Sequence, residues 1–252
     1  MKGTAQLVGR ERELLELSEA FEAARAERGS VVLVAGEAGA GKSRLAAEAL
    51  DESGFTVYAA RAREQATPAY GPIITVLRGC LRHGVRLDEL PEALVAHLAL
   101  LLPEVGAASQ EPSPEDLTEV VAAVLDLAMR SGPVALCLED LQWADEATVD
   151  LLPPLVERLH RSPFLVLATY RDEEISRGHP VRRLRNELRR GGHVRELAVG
   201  PLDPDECERL IEATLGAAPA PSLARRVYEL TDGVPLYVEE LAATLSEARP
   251  LR

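Results

Sequence analysis

Lysine is nearly absent from this chain of 252 residues: Lys2 and Lys42 are the only two among 28 basic side chains. Such a skew follows from genomic base composition, and it leaves Lys42 as the single internal lysine. Aromatic residues make up 4% of the chain, so its core must be built from Leu, Val and Ala. The three cysteines, Cys80, Cys137 and Cys207, lie far apart in sequence and no pair has metal-ligand spacing. Reduced thiols, at least one of them buried, are expected. No stretch reaches the roughly 18 apolar residues of a membrane span, and MKGTAQLVGRERELLEL has no apolar run of signal-peptide length. A soluble cytoplasmic protein with no membrane partner is expected. The net charge of −13 puts acid on the surface, which disfavours direct nucleic-acid binding by this segment. At 46% apolar, the chain can bury one large domain, or a main domain with a small appendage.

Short apolar runs alternate with helical patterns. VVLVAG (31–36), FTVYAARA (55–62), VALCLED (134–140), PFLVLATYR (163–171) and HVRELAVG (193–200) read as strands. Helical spacing covers 42–53, two patterns within 71–102 broken near His83–Gly84, and 115–130. It also covers 147–161, where Pro153 and Pro154 must bend the helix or start a new turn. Residues 106–114 read as a loop. Strands alternating with helices predict an α/β three-layer sandwich with a five-stranded parallel sheet. After Pro201 three helical segments follow with no strand between them, the first two ending at glycine. This predicts a nucleotide-binding domain over 1–200 and a small helical lid over 201–252. The arginine-rich stretch 177–195, seven arginines and one acid, is expected to be a solvated helix face.

GEAGAGKS at 36–43 fits the phosphate-binding pattern G-x-x-x-x-G-K-[ST], between a predicted strand and a predicted helix. Gly36, Gly39 and Gly41 allow close approach of backbone to a phosphate, with Ala38 and Ala40 between them. The loop N–H groups and the following helix start, Lys42 to Arg44, form an anion site. Lys42 is expected to reach the β- and γ-phosphates, and the Ser43 hydroxyl to coordinate Mg2+. VALCLED delivers Glu139 and Asp140 to the carboxyl edge of a parallel sheet, where ligands bind. One acid can hold the metal with Ser43 while the other orients the attacking water.

Four further stretches, LVGRERELLEL (7–17), LEDLQWADEATVDLL (138–152), LATYRDEE (167–174) and TDGVPLYVEEL (231–241), make residues 5–245 resemble the signal-transduction ATPases with numerous domains, the STAND class. The nearest branch is the ATPase module of large LuxR-type regulators. The resemblance implies binding of ATP or ADP and slow hydrolysis. It places Val8, Gly9 and Arg10 beside the adenine, with Glu13 in the same motif. It makes Arg171 the γ-phosphate sensor, and Gly233 and Pro235 the point where the lid meets the nucleotide. Without it, Arg171 is a strand-end charge paired with Asp172 or Glu173. Many members of that class carry Asp-Asp where this chain has Glu139-Asp140, which leaves the division between the two acids open. Arg225 and Arg226 are finger candidates by location only, and Trp143 is expected to be a packing residue.

Two functions are weighed. One is a regulatory ATP switch, a fragment or short relative of a larger regulator whose sensor and output domains or partner lie elsewhere, with nucleotide-dependent oligomerisation open. The other is a partner-stimulated ATPase motor or loader; a nucleotide-binding module without catalysis is a weaker third.

Overall fold

The computed structural model describes residues 7–65, 68–107 and 113–247, with side chains up to Leu245. Most of the expected 106–114 loop, residues 1–6 with Lys2, and residues 248–252 of the expected lid lie outside the described residues. In chain order the elements are α1 (Glu11–Arg25), β1 (Ser30–Ala35), α2 (Lys42–Ser53), β2 (Thr56–Arg61) and α3 (Gly71–Arg82). There follow α4 (Glu92–Leu101), α5 (Pro114–Met129), β3 (Val134–Glu139), α6 (Glu146–Leu159), β4 (Phe164–Tyr170) and α7 (Pro180–Gly191). The chain continues with β5 (Val194–Ala198), α8 (Pro204–Leu215), α9 (Pro221–Thr231) and α10 (Pro235–Glu247).

The strands form one five-stranded sheet in the order β2-β3-β4-β1-β5, and every neighbouring pair is parallel. Period-two alternation sends their side chains to two separate cores. Val32, Val34, Cys137, Leu165 and Leu167 pack on Leu17, Phe21, Leu45 and Ala49 of α1 and α2. Val31, Leu33, Leu136, Val166 and Tyr170 pack on the opposite face with α3 to α7. Helices thus cover both faces, as the strand-helix alternation predicts. The central strand β4 is buried at every position, whereas edge strand β5 buries only Leu197.

Three points bear on the sequence expectations. A single α6 runs through Pro153 and Pro154, with no new helix begun there. Each proline lacks an N–H, so the carbonyls of Val149 and Asp150 lose their usual donors. Both rings fall on the more open flank, while Leu151, Leu152, Leu155 and Val156 hold the helix on the core. The residue that ends α9 in the left-handed conformation is Asp232 (φ 48°), one position before the expected glycine. The arginines of 177–195 are not simply solvated. Arg185 and Arg189 bind Glu196 of β5, and Arg183 binds Glu146, while Val181, Leu184 and Leu188 anchor α7. All three cysteines are free and buried, and burial pushes the Cys80 and Cys137 thiols up to about 12. Among the described residues no helix is long and apolar enough to cross a membrane.

Helices α8 to α10 surround a core of their own, with Leu202, Cys207, Leu210, Ile211, Val227 and Val238. Gly233 packs within this cluster, against Leu202. Its φ is +74°, its carbonyl accepts from the Leu202 N–H at 2.8 Å, and an added Cβ would lie 2.2 Å from the Leu202 oxygen. A left-handed non-glycine residue costs roughly 1–2 kcal/mol before any clash. Gly233→Ala is therefore expected to destabilise the protein by about 2 kcal/mol or more, read from urea unfolding midpoints.

Candidate functional site

The segment 36–41 joins β1 to α2 and owes its path to glycine. Gly39 and Gly41 have φ of +81° and +92°. At Gly36 an added Cβ would lie 2.3 Å from the carbonyl oxygen of Val199, the residue after β5, so there is no room for a side chain. Lys42, at the first position of α2, is buried, and its Nζ donates to the Gly36 and Glu37 carbonyls at 2.8 Å each. Burial lowers its pKa, the Glu173 carboxylate opposes that shift, and the nearby Arg171 charge adds to it.

Glu139 ends β3 and Asp140 follows with φ 56°, its N–H held by Thr169 Oγ1 at 3.2 Å. Side-chain alternation in β3 puts Cys137 in the core on the α2 side and Leu138 in the opposite one, so Glu139 projects toward α2. Arg61, the last residue of β2 and the register partner of Glu139, closes this group. Its guanidinium donates to Glu139 Oε2 and to Ser43 Oγ (3.4 Å), and lies 3.5 Å from Asp140 Oδ2. Ser43, Glu139 and Asp140, the three expected metal ligands, thus converge on one cation, which here is the guanidinium. That donor set is hard oxygen, the kind magnesium takes.

Arg171 follows β4. It pairs with Glu174 at 2.7 Å, not with Asp172 or Glu173, and its guanidinium lies 4.8 Å from the centre of the Trp143 ring. Trp143 is therefore a platform for this arginine more than a packing residue. Gln142 Oε1 accepts from the Arg171 N–H at 3.2 Å. Across the site, Glu173 Oε1 accepts from the Ala38 N–H at 3.0 Å.

On the other side of the loop lies a cavity of about 290 Å3. It is lined by Val8, Arg10, Gly39, Ala40, Gly41, Ser43, Arg44, Pro235 and Leu236, among others. Arg10 is buried and donates to the Ala40 and Gly200 carbonyls at 3.2 and 2.6 Å, and it reaches Glu13 at 3.4 Å. Arg44 Nη1 binds Glu239 of α10 at 2.8 Å; its buried Nη2 has no partner among the described residues. The Leu236 N–H approaches the Gly39 carbonyl at 3.3 Å. Gly9 and Gly233 do not line the cavity; they pack on Glu206 and Leu202. Arg225 and Arg226 lie on the exposed face of α9, Arg226 beside Glu229 at 3.6 Å. Two larger concavities, of about 780 and 1000 Å3, contain none of these loop residues. A Glu157, His160 and His193 group lies beside the first of them, near Gly29 and Ser30 where β1 begins, at the opposite edge of the sheet.

Sequence reasoning missed Arg61 and Glu173. Arg61 ends β2 and Glu173 lies just after β4, both at the carboxyl edge, and that position was the available signal.

Comparison with known proteins accords with this geometry. A model of the AAA ATPase domain matches residues 6–167, which takes in the glycine loop, α2, Glu139 and Asp140 but not Arg171 or α8 to α10. An uncharacterized protein of Rhizobium meliloti (strain 1021) is 25% identical over 96% of this chain, and the chain spans 25% of that relative's length. Among solved structures, a STAND protein with a tetratricopeptide repeat sensor from Pyrococcus horikoshii superposes with a TM-score of 0.60 at 21% identity. The match covers 93% of this chain and 29% of that one. A Walker-type ATPase of Pyrococcus abyssi gives 0.63 at 16% identity, covering 96% and 68%. The Aeropyrum pernix ORC1 protein, solved in complex with DNA, gives 0.59 at 19%, covering 98% and 63%. These structural likenesses show a shared P-loop ATPase fold. The family model spans more than half of the chain, including its phosphate loop, and so this chain belongs to the AAA ATPase domain family.

Proposed function

We propose that this ATPase module is a nucleotide-responsive switch in a bacterial signalling or transcriptional regulator, with residues 1–200 as its sheet domain and 201–252 as its lid. One observation carries the reading: the cavity beside the phosphate loop is walled by both parts, with Pro235, Leu236 and Glu239 of α10 across from Gly39, Ala40, Gly41, Ser43 and Arg44. A nucleotide seated there touches both, so its state biases the angle between them. In this reading Val8 and Arg10 flank the base, with Gly9 setting their turn. The loop N–H groups and Lys42 hold the phosphates. Gly233 and Pro235 aim α10 at the loop, and Arg171 exchanges Glu174 for the γ-phosphate. Ser43 and Glu139 would hold magnesium, and Asp140 would orient the attacking water. Bound magnesium would neutralise charge on the phosphate oxygens. Sensor and output domains are partners of this reading, and the short share of the curated relative's length leaves room for them.

The test is chromatography of the nucleotide released on denaturing the purified protein, together with steady-state turnover. The switch predicts retained ADP or ATP and turnover well below about 1 s⁻¹, the low end of ordinary enzymes. Turnover above that, raised further by a partner protein, would identify a motor instead. Retained nucleotide with no hydrolysis would identify a binding module.

A further inference from the structure

Ala35 of β1 pairs in register with Tyr170 of β4, and both strands end at the same edge of the sheet. Ala38 and Glu173 each lie a further three residues along their chains. The parallel register therefore carries the Glu173 side chain onto the phosphate loop. There its carboxylate accepts the Ala38 N–H at 3.0 Å. It is also the foremost negative charge acting on the buried Lys42 ammonium, ahead of Asp140 and Glu174. A loop N–H and the lysine ammonium are the two kinds of group that such a loop offers to a terminal phosphate.

We infer that Glu173 is a specificity-determining residue: its carboxylate takes the place of the terminal phosphate, so that the site disfavours a nucleoside triphosphate relative to a diphosphate. This rests on the phosphate-loop reading above. A diphosphate leaves the Glu173 contact in place. A triphosphate must displace it, and the displaced carboxylate stays close to the new charge. Glu173 is exposed on a short turn and is bonded to no other side chain among the described residues, so it can swing away without disturbing the core. Its neighbours Arg171 and Glu174 are engaged with each other and do not hold it.

The test is calorimetric titration of ATP and of ADP, each with magnesium, into the wild type, Glu173→Gln, Glu173→Ala and Lys42→Met. Glu173→Gln keeps the shape and removes the charge. Both Glu173 variants are expected to bind ATP about tenfold more tightly, the scale of one charge-assisted hydrogen bond, while ADP affinity stays within about twofold. Equal changes for the two nucleotides, no change, or weaker ATP binding would overturn the inference. Lys42→Met separates the two readings. If it loses both nucleotides while the Glu173 variants behave as wild type, the phosphate loop stands and the role of Glu173 falls. If it binds both as the wild type does, the loop reading is wrong and takes this inference with it.

Discussion

Replacing Lys42 with methionine is expected to reduce nucleotide affinity by at least about a hundredfold while leaving the fold as stable as before, or more so. The loss follows from chemistry. Lys42 is the only internal lysine, and two charge-assisted hydrogen bonds to phosphate oxygens, at roughly 1.5–3 kcal/mol each, account for a hundredfold or more. The preserved stability follows from burial. The ammonium is desolvated between the Gly36 and Glu37 carbonyls, and this lowers its pKa below the ordinary lysine value. A lowered lysine pKa means that the unfolded chain binds the proton more tightly than the folded one. Folding stability then rises as pH climbs from the folded-state pKa toward the unfolded one. At neutral pH the charge opposes folding, and methionine fills the same space without it. Urea unfolding of both proteins at neutral pH and near the ordinary lysine pKa checks the sign. The wild type should gain on the variant as pH rises. A variant that binds ATP normally, or one whose stability collapses, would contradict this account.

The architecture was legible because the strand signals are strong. Val31 to Val34, Val134 to Leu138 and Phe164 to Ala168 are continuous apolar runs, and such runs belong to strands covered on both faces. The glycine loop and Lys42 were legible for a similar reason: their spacing is local. Contacts made across strand order were not. Arg61 is visible as the end of a strand, but nothing local says that β2 lies beside β3 and so brings Arg61 against Glu139. Glu173 reads as one acid among three until the register of β4 against β1 carries it to Ala38. Trp143 has no signature of its own; it becomes an arginine platform because the turn after β3 meets the end of β4. At Pro153 and Pro154 the local rule allowed a bend or a new turn; no new helix begins there, and the buried leucines around them hold α6 on the core.

The two acids at the end of β3, Glu139 and Asp140, are expected to separate by substitution. Glu139 shares the α2-facing side of the strand with Cys137, and the Arg61 guanidinium ties it to the Ser43 hydroxyl. Glu139 is thus the acid placed to share a cation with Ser43. Asp140 sits one residue on, in a left-handed conformation, close enough to oppose the lowering of the Lys42 pKa. In the proposed reading that nearness to Lys42 makes it the acid that orients the attacking water. Asp140→Asn is therefore expected to slow hydrolysis by about a hundredfold or more, the range of a lost general base, with ATP affinity nearly unchanged. Asparagine accepts the left-handed backbone, so stability should hold. Alanine at the same position should add a cost of about 1 kcal/mol or more. Glu139→Gln is expected to do something different: raise the magnesium concentration needed for half-maximal ATP binding, with hydrolysis largely restored at high magnesium. Magnesium titrations of binding and single-turnover rates on both variants decide between the roles. If Glu139→Gln slows the chemistry at saturating magnesium and Asp140→Asn moves the magnesium dependence, the roles are exchanged. The extra methylene of glutamate would then carry the carboxylate past the metal to the water.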